Sequence, residues 1–397
     1  MPSGRYFGFV IGGGLPAALA ADWLTSAWDQ NAGLYVGGPS ASVVEQVVRE
    51  WVCDLLGLPE DASLGLVTGT QMGSVTALAA ARFRVLERVG LGRRRGRPLR
   101  STARSRARRR TAPRHDRPCA PLARPRRARG RAADGQGRLD AEALRAALAD
   151  GDGPTIVCAQ AGEVNTGAFD PFDEIADAVA PHGAWLHVDG AFGLWAAASP
   201  NLRHLVHGVE RAGFLDHGRP QVAERPLRLC ARPLRRSGSA SCGNDDQRVL
   251  SDPGRQPDRS RPGGLGPGVL TSRTRLRGVT PRCARSVAAA SPSSSSEACA
   301  CARRFCRRHR RASTASSSST TSSSTRSLFR FESDARTDEV LKTVQEAGDV
   351  WMSGTTWNGR RAIRVSVSNW QTDDDEIDLA LEAFRTASQS PAHAPAR

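Results

Sequence analysis

Apolar residues recur along this chain in three separate stretches, and between them all periodicity is lost. From Pro16 to Leu58 the spacing is helical. In SASVVEQVVREWVCDLLGLP, Val43, Val44, Val47, Val48, Trp51, Leu55 and Leu56 return at helix intervals and Gly57 closes the element. Ser40 and Ser42 are candidate caps for its start. A short apolar strand, Leu64 to Val67, then leads through Thr68-Gly69-Thr70-Gln71 into a long helix of Ala, Leu and Arg. The second stretch predicts a helix from Ala141 to Ala149, a buried strand from Thr155 to Ala159, a polar loop, a helix from Phe172 to Ala180, and a strand ending at Asp189. That βαβ order marks a parallel sheet. The third stretch predicts a strand near Leu328, a helix from Asp338 to Ala347, strand-like runs Val350 to Trp357 and Ala362 to Ser368, and a capped helix from Asp373 to Ala387. Together these make a small α+β unit.

The chemistry concentrates at AWLHVDGAFG, Ala184 to Gly193. An apolar run ends in one acid followed by small residues, so a buried strand delivers a carboxylate to the edge of the sheet where ligands bind in open α/β folds. Taken alone, a strand-end aspartate is more often an ordinary turn or cap residue. The Thr68 to Gln71 turn suits an anion, because backbone N–H groups and the positive end of the helix dipole converge there. Many strand-to-helix turns are Gly/Thr-rich for geometry only. GGGLP, just after Ile11, lacks the strand–loop–helix frame of a phosphate loop.

Composition divides the chain further. Its 397 residues carry a formal charge of +16, yet residues 91–130 hold 16 arginines against one acid and residues 213–327 hold 22 against seven. The remainder is therefore acidic. Seven of the nine cysteines lie in the two basic tracts, leaving Cys53 and Cys158 outside, so the patterned parts read as cytoplasmic with no disulfide framework. No apolar run has membrane-spanning length and the start lacks a signal-peptide layout. Cys299, Cys301, Cys306 and His309 match no common zinc spacing, and no metal site is expected. A basic nucleic-acid-binding protein using the tracts as arms is the competing reading. Against it, no aromatics interleave with the arginines to stack on bases.

The three patterned stretches, over about residues 5–90, 134–212 and 328–390, resemble the pyridoxal-phosphate (PLP) decarboxylases of the aromatic-amino-acid and glutamate decarboxylase group. The resemblance implies a fold-type-I α/β architecture, a mostly parallel sheet with a small C-terminal α+β domain. It divides the chain into a large PLP-binding domain (1–90 and 134–212), basic tracts at 91–133 and 213–327, and a small domain from 328 to 397. It implies that Asp189 holds the pyridine nitrogen protonated, that Ala191 packs against the ring, and that Thr70 and Gln71 bind the phosphate. Thr70 stands where the family often has a second glycine, and Gly73 where it has alanine. His187, Asn165 and Thr166 are further candidates near cofactor or substrate, with turn and capping roles equally open for the last two. Arg364 is the candidate for the substrate carboxylate. The resemblance also implies an amino-acid substrate, a homodimer, and a helical segment preceding the present start.

Two residues of that machinery are missing, the covalent lysine and the histidine that stacks on PLP. The family's lysine, which binds PLP covalently, lies in a segment like DSWTTDGHKWLNVPYDCA some thirty residues beyond the aspartate strand. This chain has a single lysine, Lys342, and reads GFLDHGRPQVAERPLRLC from Gly213 to Cys230. Taking the last two bases of each codon with the first of the next, permitted codon choices turn the second string into the first, with the lysine codon straddling Gln221 and Val222. Regrouping Pro113 to Pro118 in the same way can yield His-Ala-Thr-Thr-Val, similar to the segment whose histidine stacks on PLP. Arginine, proline, alanine and serine without lysine is what a GC-rich gene gives out of frame. The expectation is a decarboxylase interrupted by two frame-shifted tracts and inactive as written; a noncatalytic relative kept for a partner is the third reading.

Overall fold

The structure, a computed structural model, describes residues 3–12, 16–28, 35–59, 62, 64–67, 70–89, 106–109, 129–151, 153–212, 214–216, 302 and 325–389. Helices α1 (Pro16–Trp28) and α2 (Pro39–Leu56) come first. Pro39 sits in the first turn of α2, where its missing N–H costs nothing. The helix therefore begins before the serines expected to cap it. Ser40 and Ser42 lie inside α2, and the Ser42 hydroxyl turns back to the Gly38 carbonyl at 3.4 Å. Gly57 ends the helix in the left-handed region, at φ 63°. Residues 64–67, expected as a strand, are buried but join no ladder among the described residues. Their apolar side chains hold them in the core without β pairing. Helix α3 (Thr70–Arg88) follows, with Thr70 already its first residue.

Among the described residues five strands make the main sheet: β1 (Arg106–Arg109), β2 (Arg129–Arg131), β3 (Ile156–Gln160), β4 (Trp185–Asp189) and β5 (Phe214–Asp216). All pair in parallel, in the order β2-β1-β3-β4-β5. Between them lie α4 (Ala141–Ala149), capped by the Asp140 carboxylate, and α5 (Phe172–Val179). The βαβ expectation is met at β3-α5-β4. Strands β1, β2 and β5 are not foreseen, because they fall in tracts with no β periodicity. Ladder hydrogen bonds are backbone bonds, which almost any sequence can make. The core joins Val157, Ala159, Leu186 and Val188 of the strands to Ala77, Ala81 and Val85 of α3 and Ile175, Ala176 and Val179 of α5.

The C-terminal unit is an antiparallel sheet, β6-β8-β7, built from β6 (Arg326–Phe329), β7 (Ser353–Trp357) and β8 (Arg360–Ser366) with helices α6 (Asp334–Ala347) and α7 (Asp374–Gln389). Helix α6 starts a turn earlier than its apolar spacing implies, since Ser333 caps it by accepting from the Arg336 N–H at 3.1 Å. Alternation divides the sheet into two faces. Phe329, Ile363 and Val365 pack on Val340 and Val344 of α6 and Phe384 of α7. Arg326, Leu328, Arg364, Ser366 and Ser353 lie on the other face by register. Residues 3–12, grouped with the large domain by chain order, instead bond to this unit. The Phe7 N–H donates to the Trp351 carbonyl at 2.8 Å, the Ser366 N–H donates to the Phe7 carbonyl at 2.9 Å, and Tyr6 stacks on Trp351 with centroids 4.9 Å apart.

Short 3-10 turns after β4 carry the chain back over α5. The His207 ring nitrogen lies 2.5 Å from an Asp173 oxygen, and Arg211 pairs with Asp177 at 2.6 Å. The Asp173 hydrogen bond, reinforced by the charges of Asp173 and Glu210, raises the His207 pKa above its ordinary value. A raised folded-state pKa stabilises in full below the unfolded value of about 6.5, and the benefit is lost as pH climbs through the folded value. The imidazole should therefore titrate above its ordinary midpoint by NMR, and Asp173→Asn should lower that midpoint; an unchanged midpoint in the variant refutes the contact. Gly193 gives a second expectation. A Cβ there would lie 2.6 Å from the Phe169 ring and 2.7 Å from the Ala161 carbonyl. Gly193→Ala should cost about 1–3 kcal/mol, read as a lower denaturant midpoint at unchanged m.

Candidate active site

Strands β3 and β4 end level, with Gln160 opposite Asp189, and the Ala161 N–H donates to the Asp189 carbonyl at 2.8 Å. Beyond that pair the Asp189 carboxylate is half-buried at the carboxyl edge, and its Oδ1 accepts the Ala191 N–H at 3.1 Å. That turn fixes the acid's direction and brings Ala191 beside it. The Gly193 N–H then donates to the Ala161 carbonyl at 3.1 Å, closing the loop after β4 on the loop after β3. His187 is buried on the same side of β4 as Asp189, paired across the ladder with Cys158 and Phe214. Thr70 and Gln71 are exposed in the first turn of α3, which packs along β3, β4 and β5. No hydrogen bond joins either to Asp189 among the described residues. Thr68, Gly69, Gln221, Val222, Pro113 to Pro118 and the Cys299–His309 cluster lie outside the described residues.

The loop after β3 is folded around one acid that sequence reasoning missed. Glu163, 1% exposed, accepts from the Asn165 N–H at 2.6 Å, the Thr166 N–H at 2.8 Å and Asn165 Nδ2 at 3.1 Å. Asn165 Oδ1 in turn accepts from the Thr355 hydroxyl of β7 at 2.9 Å, and Thr166 donates to the Gln136 carbonyl at 2.7 Å. Thr166 is thus committed to the loop and the Gln136 turn, and Asn165 to the loop and the small unit. Their spacing from Glu163, two and three residues on, is the signal that could have found it. Asp170, also missed, ties the Leu139 N–H (2.7 Å) to the Gln160 N–H (2.8 Å).

Arg326, at the start of β6, reaches across to the same loop. Its Nη1 donates to the Glu163 carbonyl at 3.0 Å, and its guanidinium lies 3.6 Å from the Phe192 ring centroid. Burial and the opposing Arg364 charge push its pKa down to about 9, against the pull of Glu163 and Asp189. Arg364, the candidate for a substrate carboxylate, is buried, with Nη2 3.4 Å from the Ser353 hydroxyl; burial lowers its pKa while Glu163 raises it. The structure thus gathers Asp189, Ala191, Glu163, Arg326 and Arg364 where the sheet edge meets the polar face of the small unit. Arg326 was hidden by the aperiodic tract around it.

Comparison with known proteins defines the class. The sequence profile of the pyridoxal-dependent decarboxylase conserved domain matches residues 12–216, and the chain belongs to that family. Human acidic amino acid decarboxylase GADL1 is 38% identical over 102 residues, 25% of this chain and 20% of that protein. Rat cysteine sulfinic acid decarboxylase is 40% identical over 106 residues, 26% of this chain and 20% of that protein. The matched segments thus span about a fifth of these relatives. The crystal structure of Catharanthus roseus tryptophan decarboxylase superposes with a TM-score of 0.84 at 20% identity, covering 97% of this chain and 83% of that one; mouse CSAD gives 0.83 at 21%, covering 97% and 84%. The fold is that of the fold-type-I PLP-dependent decarboxylases.

Glu163→Ala would leave the Asn165 and Thr166 amides buried without acceptors. A loss of about 2–4 kcal/mol in chemical denaturation is expected. A change within error would show that the loop does not depend on this carboxylate.

Proposed function

We propose that this chain is an amino-acid decarboxylase homologue that retains the noncovalent part of a PLP site and lacks the residue for catalysis. The half-buried Asp189 carboxylate, steered by the Ala191 N–H, suits a protonated pyridine nitrogen. Thr70 and Gln71, exposed at the start of a 19-residue helix, suit a phosphate, and Ala191 suits a ring face. PLP supplies an electron sink when bound. Its covalent attachment does not fit this chain. Lys342, the sole lysine, is 73% exposed on α6 and pairs with Glu346 at 3.6 Å. Its helix packs on the apolar face of the small sheet, opposite the face that meets Glu163.

That placement of Lys342 carries the reading. The basic tracts read as out-of-frame sequence, with the lost lysine near Gln221 and Val222. A frame-repaired protein is expected to be a homodimeric, cytoplasmic carboxy-lyase acting on an amino acid whose carboxylate meets Arg364.

The purified chain incubated with PLP should show no visible absorbance band of a lysine-bound cofactor and release no CO2 from glutamate, cysteine sulfinate or tyrosine above a protein-free control. The frame-repaired chain should show both. A lysine-bound band in the chain as written would overturn the proposal.

A further inference from the structure

Arg326 reaches from the small sheet onto both loops that frame the candidate active site. In the loop after β3, its Nη1 donates to the Glu163 carbonyl at 3.0 Å and to the Gly162 carbonyl at 3.4 Å. In the loop after β4, its guanidinium carbon lies 3.6 Å from the ring centroid of Phe192, three residues beyond Asp189. The loops close on each other at the same place. The Gly193 N–H donates to the Ala161 carbonyl at 3.1 Å, and a Cβ on Gly162 would lie 3.4 Å from the Gly193 nitrogen. Arg326 therefore stands at the seam of two loops that cannot shift independently, and one of them fixes the direction of Asp189 through the Ala191 N–H.

Only 3% of Arg326 is exposed, so its charge is matched by protein rather than by water. Burial, and then the Arg364 charge, bring its pKa down to about 9, while Glu163 and Asp189 both pull it up. The two carboxylates differ in what else they serve. Glu163 is buried, its oxygens accept from Asn165 and Thr166, and its charge acts on Arg364 as well. Asp189 is half-buried at the sheet edge, where the proposed ring would meet it. A carboxylate that faces a pyridine ring favours the ring's protonated form. A fixed cation acting on the same carboxylate works the opposite way, holding the acid ionised on its own account and repelling a second positive charge beside it. Because Arg326 is buried, salt screens this repulsion less than it would at a surface.

We infer that Arg326 is an internal counter-cation to Asp189, a self-inhibitory contact through which the small unit disfavours a protonated pyridine ring at the sheet edge. The identity of that ring as PLP rests on the decarboxylase reading; the coupling of Arg326 to Asp189 requires neither PLP nor a lysine.

Two readouts on the full chain test it. The first uses no ligand: the Asp189 carboxyl, followed by carbon NMR and assigned by comparison with D189N, should protonate at higher pH in R326M than in the unaltered chain. An unmoved Asp189 midpoint overturns the inference, whether or not any cofactor binds. The second is calorimetric titration at neutral pH and fixed ionic strength with 4-deoxypyridoxine 5′-phosphate, which has the ring nitrogen and no aldehyde, and with benzyl phosphate, which has neither. The preference for the pyridine probe over benzyl phosphate should rise about tenfold in R326M, on the order of one like-charge repulsion across protein. A preference unchanged or lowered by the variant overturns the inference. If neither phosphate binds either protein, the decarboxylase reading fails, and the Asp189 titration decides the inference by itself. If R326M does not fold by circular dichroism, R326Q replaces it, since it drops the charge and keeps an N–H donor for the Glu163 carbonyl.

Discussion

The joint between the two sheets depends on a buried carboxylate, Glu163, whose oxygens accept from its own loop and whose charge acts on Arg326 and Arg364. Glu163 organises a tight loop by accepting from the residues that follow it, and that loop offers its carbonyl to Arg326 and the Asn165 amide to Thr355. Charge-assisted bonds of this kind hold shape better than neutral ones, because each unmade bond would leave a charged group dry. With the loop fixed, the carboxyl edge of β3 and β4 is fixed too, and Asp189 acquires its direction.

Chemistry and scaffold are separated in this molecule. Asp189 stands on a rigid parallel strand, while Arg326 and Arg364 stand on an antiparallel sheet that reaches the same place from the C-terminal unit. The small sheet can do this because its faces differ: one is apolar and covered by α6 and α7, and the other carries arginine, serine and threonine. Lys342 is exposed on α6, one of the helices that cover the apolar face.

Membership of the pyridoxal-dependent decarboxylase family rests on residues 12–216, which contain the aspartate strand and the anion-suited helix start. The resemblance puts the covalent lysine beyond that span. Arg326 comes from the same aperiodic tract that lacks the lysine, yet it occupies a strand and contacts the site.

Local pattern determined the helices closed by Gly57 and spanning Ala141–Ala149, the strand ending at Asp189, and the absence of any lysine but Lys342, since each depends on composition or on the spacing of neighbours. Tertiary structure decided what depends on residues distant in sequence. Strands β1, β2 and β5 form through backbone ladders that leave no side-chain period. Residues 64–67 have a strand's apolar pattern but no ladder among the described residues. Asn165 and Thr166 became members of a joint only when Glu163 and Thr355 met them. Arg326 and Arg364 became neighbours through a strand register that neither segment encodes alone, because pairing is set by how two distant stretches bury their apolar faces together.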